Sequence, residues 1–139
     1  MTANKNFIVL WAEDSEEDKL QIRKAFNRLS EQARLVEVGS GVEALAFMME
    51  SSYSNEVPSL VVLDMNMPLL DGRDTLKAIR NNPRFNHIPI FFYSSTTSHI
   101  DNFLSTMLGA PLVKKALDGK DCLLAVQQLL GNATSVHKG

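Results

Sequence analysis

The chain has 139 residues, 45% of them hydrophobic and 22% charged, with a formal net charge of -2. That length suits one domain with a real core and is too short for an ordinary pair, and the balance excludes a disordered or collagen-like chain. No apolar run approaches the ~20 residues needed to cross a bilayer, and no basic block offers a footprint for nucleic acid.

In chain order, Phe7 to Ala12 is an apolar run of strand length. From Ser15 the period becomes helical, with Ile22, Ala25, Phe26 and Leu29 on one face and Ser15 and Asp18 spaced as a capping box. Arg34 to Val38 predicts a second strand. Ser40 and Glu43 form a better capping box, and Val42, Leu45, Ala46 and Met49 mark the face of the helix it starts. Ser59 to Leu63 is a third strand, apolar throughout as in strands buried on both faces. A loop with Pro68 and Gly72 leads to a helix through Leu76 and Ile79, stopped by Asn81-Asn82-Pro83.

Ile88 to Tyr93 is the fourth strand, with Pro89 at its start where a missing N–H is tolerated. Thr96 to Leu108 reads as a weaker helix closed by Gly109, and Pro111 to Val113 as a short fifth strand. Asp118 starts a last helix with Leu123, Val126 and Leu130 on one face; the polar tail from Gly131 to Gly139 is expected to fray. The start of the chain makes a poor signal peptide. The single cysteine, Cys122, excludes an internal disulfide and fits a reducing, cytoplasmic setting.

This alternation predicts an α/β fold, a parallel sheet with helices on both faces. In such sheets ligands sit beyond the carboxyl ends of the strands. Glu13 and Asp14 follow strand one, and Asp64 follows strand three. Ser94 and Ser95, then Thr96 and Thr97, follow strand four; Lys114 and Lys115 follow strand five. Each alone reads as a cap, a solvated loop residue or a surface charge. Together they place three carboxylates, a hydroxyl and an ammonium on one edge. Packed carboxylates repel, and a hard cation such as Mg²⁺ resolves the conflict.

On these residues the chain resembles the response-regulator receiver domain of two-component signalling, of the stand-alone chemotaxis-regulator kind. The resemblance runs from about Asn6 to Leu130. It is carried by Glu13-Asp14, by the segment from Asp64 through Met67-Pro68 to Asp71-Gly72, by Ser94, by Gly109-Ala110 and by a lysine after strand five. It implies a flavodoxin-like (βα)5 sheet in the strand order 2-1-3-4-5. It implies Asp64 as phospho-acceptor, and Mg²⁺ held by Glu13, Asp14, Asp64 and the backbone carbonyl of Asn66. Ser94 would bond a phosphoryl oxygen, and Lys115 would pair with the phosphate or with Asp64. The implied partners are a histidine kinase or histidine phosphotransfer protein and a downstream protein target, with no nucleic acid, no membrane and a monomer or weak dimer. One receiver domain over residues 1–139 would then signal by docking rather than through an output domain.

Two positions depart from the family's pattern. Ala116 stands where a proline usually follows the lysine, and a cis bond before a non-proline residue costs about 2.5–4 kcal/mol. The segment from Gly109 to Lys115 looks one residue short, which makes Lys114 the competing site lysine; Lys115 is preferred because Ala116-Leu117 then fills the proline-hydrophobe positions. Leu112 occupies the place of a common aromatic switch residue. The readings that compete with a phospho-receiver are a degenerate receiver serving as an interaction module and, more remotely, an aspartate-nucleophile phosphohydrolase. Trp11 is expected in the core or at the site rim, and Tyr93 in the core or at the surface.

Overall fold

The computed structural model describes residues 7–29, 31–54, 56–95, 98–116 and 118–138. Strands and helices alternate as β1 (Ile8–Ala12), α1 (Glu16–Arg28), β2 (Arg34–Val38), α2 (Gly41–Ser54), β3 (Leu60–Asp64) and α3 (Gly72–Arg80). They continue as β4 (Ile90–Ser94), α4 (His99–Leu108), β5 (Leu112–Lys114) and α5 (Gly119–Lys138). The strands form one sheet in the order β2-β1-β3-β4-β5, and every pairing is parallel. This is the expected strand order.

The residues of β1, β3 and β4 are buried throughout, and these strands are apolar up to Asp64 and Ser94, the buried polar residues that end β3 and β4. Alternate side chains go to opposite faces. Val9, Trp11, Leu60, Val62, Phe91 and Tyr93 pack with Ile22 and Phe26 of α1 and Cys122 and Val126 of α5. Leu10, Ala12, Val61, Leu63, Ile90 and Phe92 pack on the other side with Ala44 and Met48 of α2 and Leu76 and Ile79 of α3. Trp11 lies edge-on to Tyr93 at 5.1 Å and to Phe26 at 6.0 Å, so it is a core residue and not a rim residue.

The caps follow the sequence. Ser15 Oγ accepts from the Asp18 N–H at 3.2 Å, Ser40 Oγ from the Glu43 N–H at 3.1 Å, and Asp118 Oδ1 from the Asp121 N–H at 2.8 Å. The face of α2 is different from the expected one. Gly41, Ala44 and Met48 turn inward, while Val42, Ala46 and Met49 are exposed. A Cβ at Gly41 would overlap Thr75 Oγ1 and the Leu70 carbonyl oxygen, so this close approach sets the rotation of the helix. The first turns of the helix carry apolar side chains on more than one face, so the expected face through Val42, Ala46 and Met49 is as apolar as the one that is buried. Helix α4 begins at His99 with Ser98 as its cap, later than expected; Thr96 and Thr97 lie outside the described residues. β5 is shifted by one residue, and the expected frayed tail instead continues α5 to Lys138.

The loop from β3 to α3 holds a backbone strain. Leu69 has φ 71°, its side chain is exposed, and the Leu70 N–H donates to the Pro68 carbonyl at 2.8 Å to close a three-residue turn. A positive φ is costly for an L-residue with a Cβ and nearly free for glycine. Leu69→Gly is therefore expected to raise stability by about 0.5–1 kcal/mol in denaturant titrations, after the extra unfolded-chain entropy of glycine is counted. A loss of stability would show that the turn is not strained.

Candidate functional site

The carboxyl ends of β1, β3, β4 and β5 meet at one edge of the sheet. β1 runs out into Glu13 and Asp14, β3 ends on Asp64, β4 ends on Ser94, and Lys115 follows β5. Carboxylate oxygens of Glu13, Asp14 and Asp64 lie within 4.8 Å of one another. Glu13, Asp64 and Ser94 are buried, whereas Asp14 is exposed. The backbone N–H of Asn66 donates to Asp64 Oδ1 at 3.0 Å, which fixes one oxygen of that carboxylate.

Lys115 joins these groups. Its Nζ donates to Glu13 Oε2 at 3.0 Å, to Asp64 Oδ2 at 3.1 Å and to Asp18 Oδ2 at 2.9 Å. Its own N–H donates to the Ser94 carbonyl at 2.7 Å, tying the exit of β5 to the end of β4. Lys114, the competing lysine, is exposed at the end of β5. The Lys115–Ala116 bond is trans, like every peptide bond among the described residues. The Ala116 N–H donates to Tyr93 Oη at 3.0 Å, and Ala116 packs against the α1–α5 core. Leu117 lies outside the described residues. Leu112 is half-buried and joins the opposite cluster with Leu104 and Leu108, while Tyr93 is buried in the core.

Asp18 is the site residue that sequence reasoning missed. The capping box expected of Ser15 and Asp18 turns its side chain back to the Ser15 N–H, but that N–H donates to Glu13 Oε2 at 3.2 Å and the Asp18 carboxylate accepts from Lys115 instead. The signal was present in the spacing: Asp18 stands four residues after Asp14, in the first turn of α1, and so projects from the end of the helix nearest the strand tips.

Electrostatics follow from this crowding. Burial, then the hydrogen bond and charge of Asp64, push the Glu13 carboxyl up to about 8, with Lys115 acting in the opposite sense. Burial alone would lower the pKa of Lys115, but its bonds to Asp18 and Glu13 and the charges of Glu13 and Asp64 outweigh it and hold the ammonium above its ordinary value. Glu13 Oε1, although 3.0 Å from Lys115 Nζ, is buried and accepts no hydrogen bond. Three converging carboxylates, one with a buried oxygen to spare, suit a hard divalent cation.

Among curated proteins, the chain is 32% identical over 99 residues to the response regulator Rcp1 of Synechocystis, covering 70% of this chain and 66% of Rcp1. It is 29% identical to the probable methanogenesis regulatory protein FilR2 of Methanothrix harundinacea, covering 73% of this chain and 66% of FilR2. It thus spans just under two thirds of the length of these relatives. Among solved structures, the Mn²⁺-bound form of Rcp1 superposes with a TM-score of 0.76 at 28% identity, over 88% of this chain and 90% of that one. The response regulator RPA3017 in red light signaling of R. palustris superposes with a TM-score of 0.77, also at 28% identity and with the same coverage of both chains. The family model of the response regulator receiver domain matches residues 9–127, which takes in all five strands but for the first residue of β1, and every acid gathered at the strand ends; the chain belongs to that receiver family.

Proposed function

We propose that the chain accepts a phosphoryl group on Asp64 from the phosphohistidine of a histidine kinase or phosphotransfer protein, and signals by binding a protein target differently in its two states. One observation carries the reading: Lys115 Nζ lies 3.1 Å from Asp64 Oδ2, inside a group of three carboxylates drawn together within 4.8 Å. A carboxylate oxygen of Asp64 attacks phosphorus; the new O–P bond forms as the P–N bond to the donor imidazole breaks. Glu13, Asp14, Asp64 and the Asn66 carbonyl would hold Mg²⁺. Bound there, the ion would offset the charge of the phosphoryl oxygens. Lys115 offers a fixed positive charge, and the Ser94 hydroxyl stands at the end of β4 to bond a phosphoryl oxygen. With Leu112 in place of an aromatic, Ser94 and the loop that follows it would carry the change toward α4. The trans Lys115–Ala116 bond leaves Lys115 in reach of Asp64, which supports this reading over a degenerate module.

The test is incubation with Mg²⁺ and a small phosphodonor, followed by intact-mass spectrometry. A single phosphoryl adduct is expected, absent from Asp64→Asn. No adduct with any small donor or kinase would leave the degenerate interaction module, and rapid turnover of unrelated phosphate esters would favour a phosphohydrolase.

A further inference from the structure

We propose that Tyr93 is a positioning residue for the phosphoryl transfer: its hydroxyl pins the Ala116 N–H and so aims the Lys115 side chain at Asp64. The inference rests on the reading of Asp64 as the acceptor. A lysine reaches its partners over a flexible four-carbon stem, so its backbone must be fixed if the ammonium is to arrive at one place. Peptide units are planar, and an N–H held in place orients its whole plane. Lys115 lies between two such planes. Its own N–H donates to the Ser94 carbonyl at 2.7 Å, and the next N–H, of Ala116, donates to Tyr93 Oη at 3.0 Å. Together they fix the direction in which the Lys115 side chain leaves the backbone, toward Glu13, Asp18 and Asp64.

Tyr93 is itself held firmly. It pairs with Asp64 of β3 on one side and Val113 of β5 on the other, and its buried ring lies edge-on to Trp11. Lys115 Nζ stands 6.0 Å from the centre of that ring. Phe91, two residues earlier on the same face, fills the same core without a hydroxyl, so packing alone does not ask for one. A buried hydroxyl is costly unless it is bonded. Here it meets the Ala116 N–H and, from α5, the Cys122 thiol. The pair depends on residue 116 not being a proline, which has no N–H to donate.

The measurement is the initial rate of adduct formation with phosphoramidate in saturating Mg²⁺, by intact-mass spectrometry, at a temperature where circular dichroism shows every variant folded. Tyr93→Phe keeps the ring, removes only the hydroxyl, and is expected to react about three- to tenfold more slowly. In an Ala116→Pro background, which has no N–H at that place, Tyr93→Phe should make no further difference. Hydrogen exchange of the Ala116 amide, followed by NMR, should be about tenfold faster in Tyr93→Phe than in wild type, and it carries the test if Ala116→Pro does not fold. A wild-type rate in folded Tyr93→Phe overturns the proposal. So does an equal loss in the Ala116→Pro background, or unchanged exchange at Ala116, since Tyr93 would then act by some other route than that N–H. If wild type forms no adduct, the acceptor reading of Asp64 fails, and this inference with it; if wild type reacts and Tyr93→Phe reacts as fast, only the role of Tyr93 fails.

Discussion

Lys115→Met is expected to lower the melting temperature of the metal-free chain by about 10 °C at about pH 9, and by much less at about pH 5. Lys115 is the cation that bonds Glu13, Asp18 and Asp64 together. Removing one partner of a buried ion network leaves uncompensated charge, which costs about 3 kcal/mol. The pH dependence follows from Glu13. Its folded-state pKa, about 8, is raised above the ordinary carboxylate value of 4.5, so between those limits the folded chain binds more protons than the unfolded one. The stability that its protonation contributes is fully present below 4.5 and is lost as pH rises through about 8. In wild type, Lys115 limits that loss by stabilising the anion. Without it, Glu13 holds its proton to a higher pH, and the cost of ionising it in place grows. Melts in the presence of a chelator, taken at both pH values, check this. An equal drop at the two would show that Lys115 stabilises through Asp18, Asp64 or packing and not through the charge of Glu13.

Much of the fold was open to sequence reasoning for a physical reason. A strand buried on both faces reads as a near-continuous apolar run, and β1, β3 and β4 do so up to the polar residues Asp64 and Ser94 that end β3 and β4. Parallel connection then puts the residues at the end of each strand on one edge, which groups Glu13, Asp14, Asp64, Ser94 and Lys115 from the sequence alone. Chain-local rules failed where a distant contact decides. The rotation of α2 depends on how Leu70 and Thr75 pack against Gly41, and no period within α2 encodes that. The side chain of Asp18 is similar. Its local environment is an exposed first turn rich in acids, and only Lys115, 97 residues away, gives it a partner. The choice between Lys114 and Lys115 also needed the sheet: at the end of β5 one residue is exposed and the next turns to the acids.

Gly72→Ala should be the most damaging small substitution near the site, and Gly109→Ala makes the comparison that explains why. Gly109 has φ 70° at the end of α4, and an added Cβ meets nothing within 4 Å. Its replacement costs about 1–2 kcal/mol of backbone strain and nothing else. Gly72 is the first residue of α3, where alanine is the better helix former by up to ~1 kcal/mol. Yet its Cβ would run into the carbonyl oxygen of Asp64 and lie 2.9 Å from Met65 Cα. These are backbone atoms of the strand end that carries Asp64, so no side chain can rotate away to make room. Either α3 lifts off or the tip of β3 moves, at a net cost of about 3 kcal/mol. A displacement of ~1 Å at a reacting group costs on the order of 100-fold in rate. Gly72→Ala should therefore lose adduct formation with a small phosphodonor by about that factor at temperatures where it is still folded. Gly109→Ala, also destabilised, should keep the wild-type rate. If both variants lost rate in proportion to stability, general loosening of the fold would be the cause; if only Gly72→Ala does, the contact between α3 and the Asp64 carbonyl aims the Asp64 side chain, as the proposed acceptor role requires.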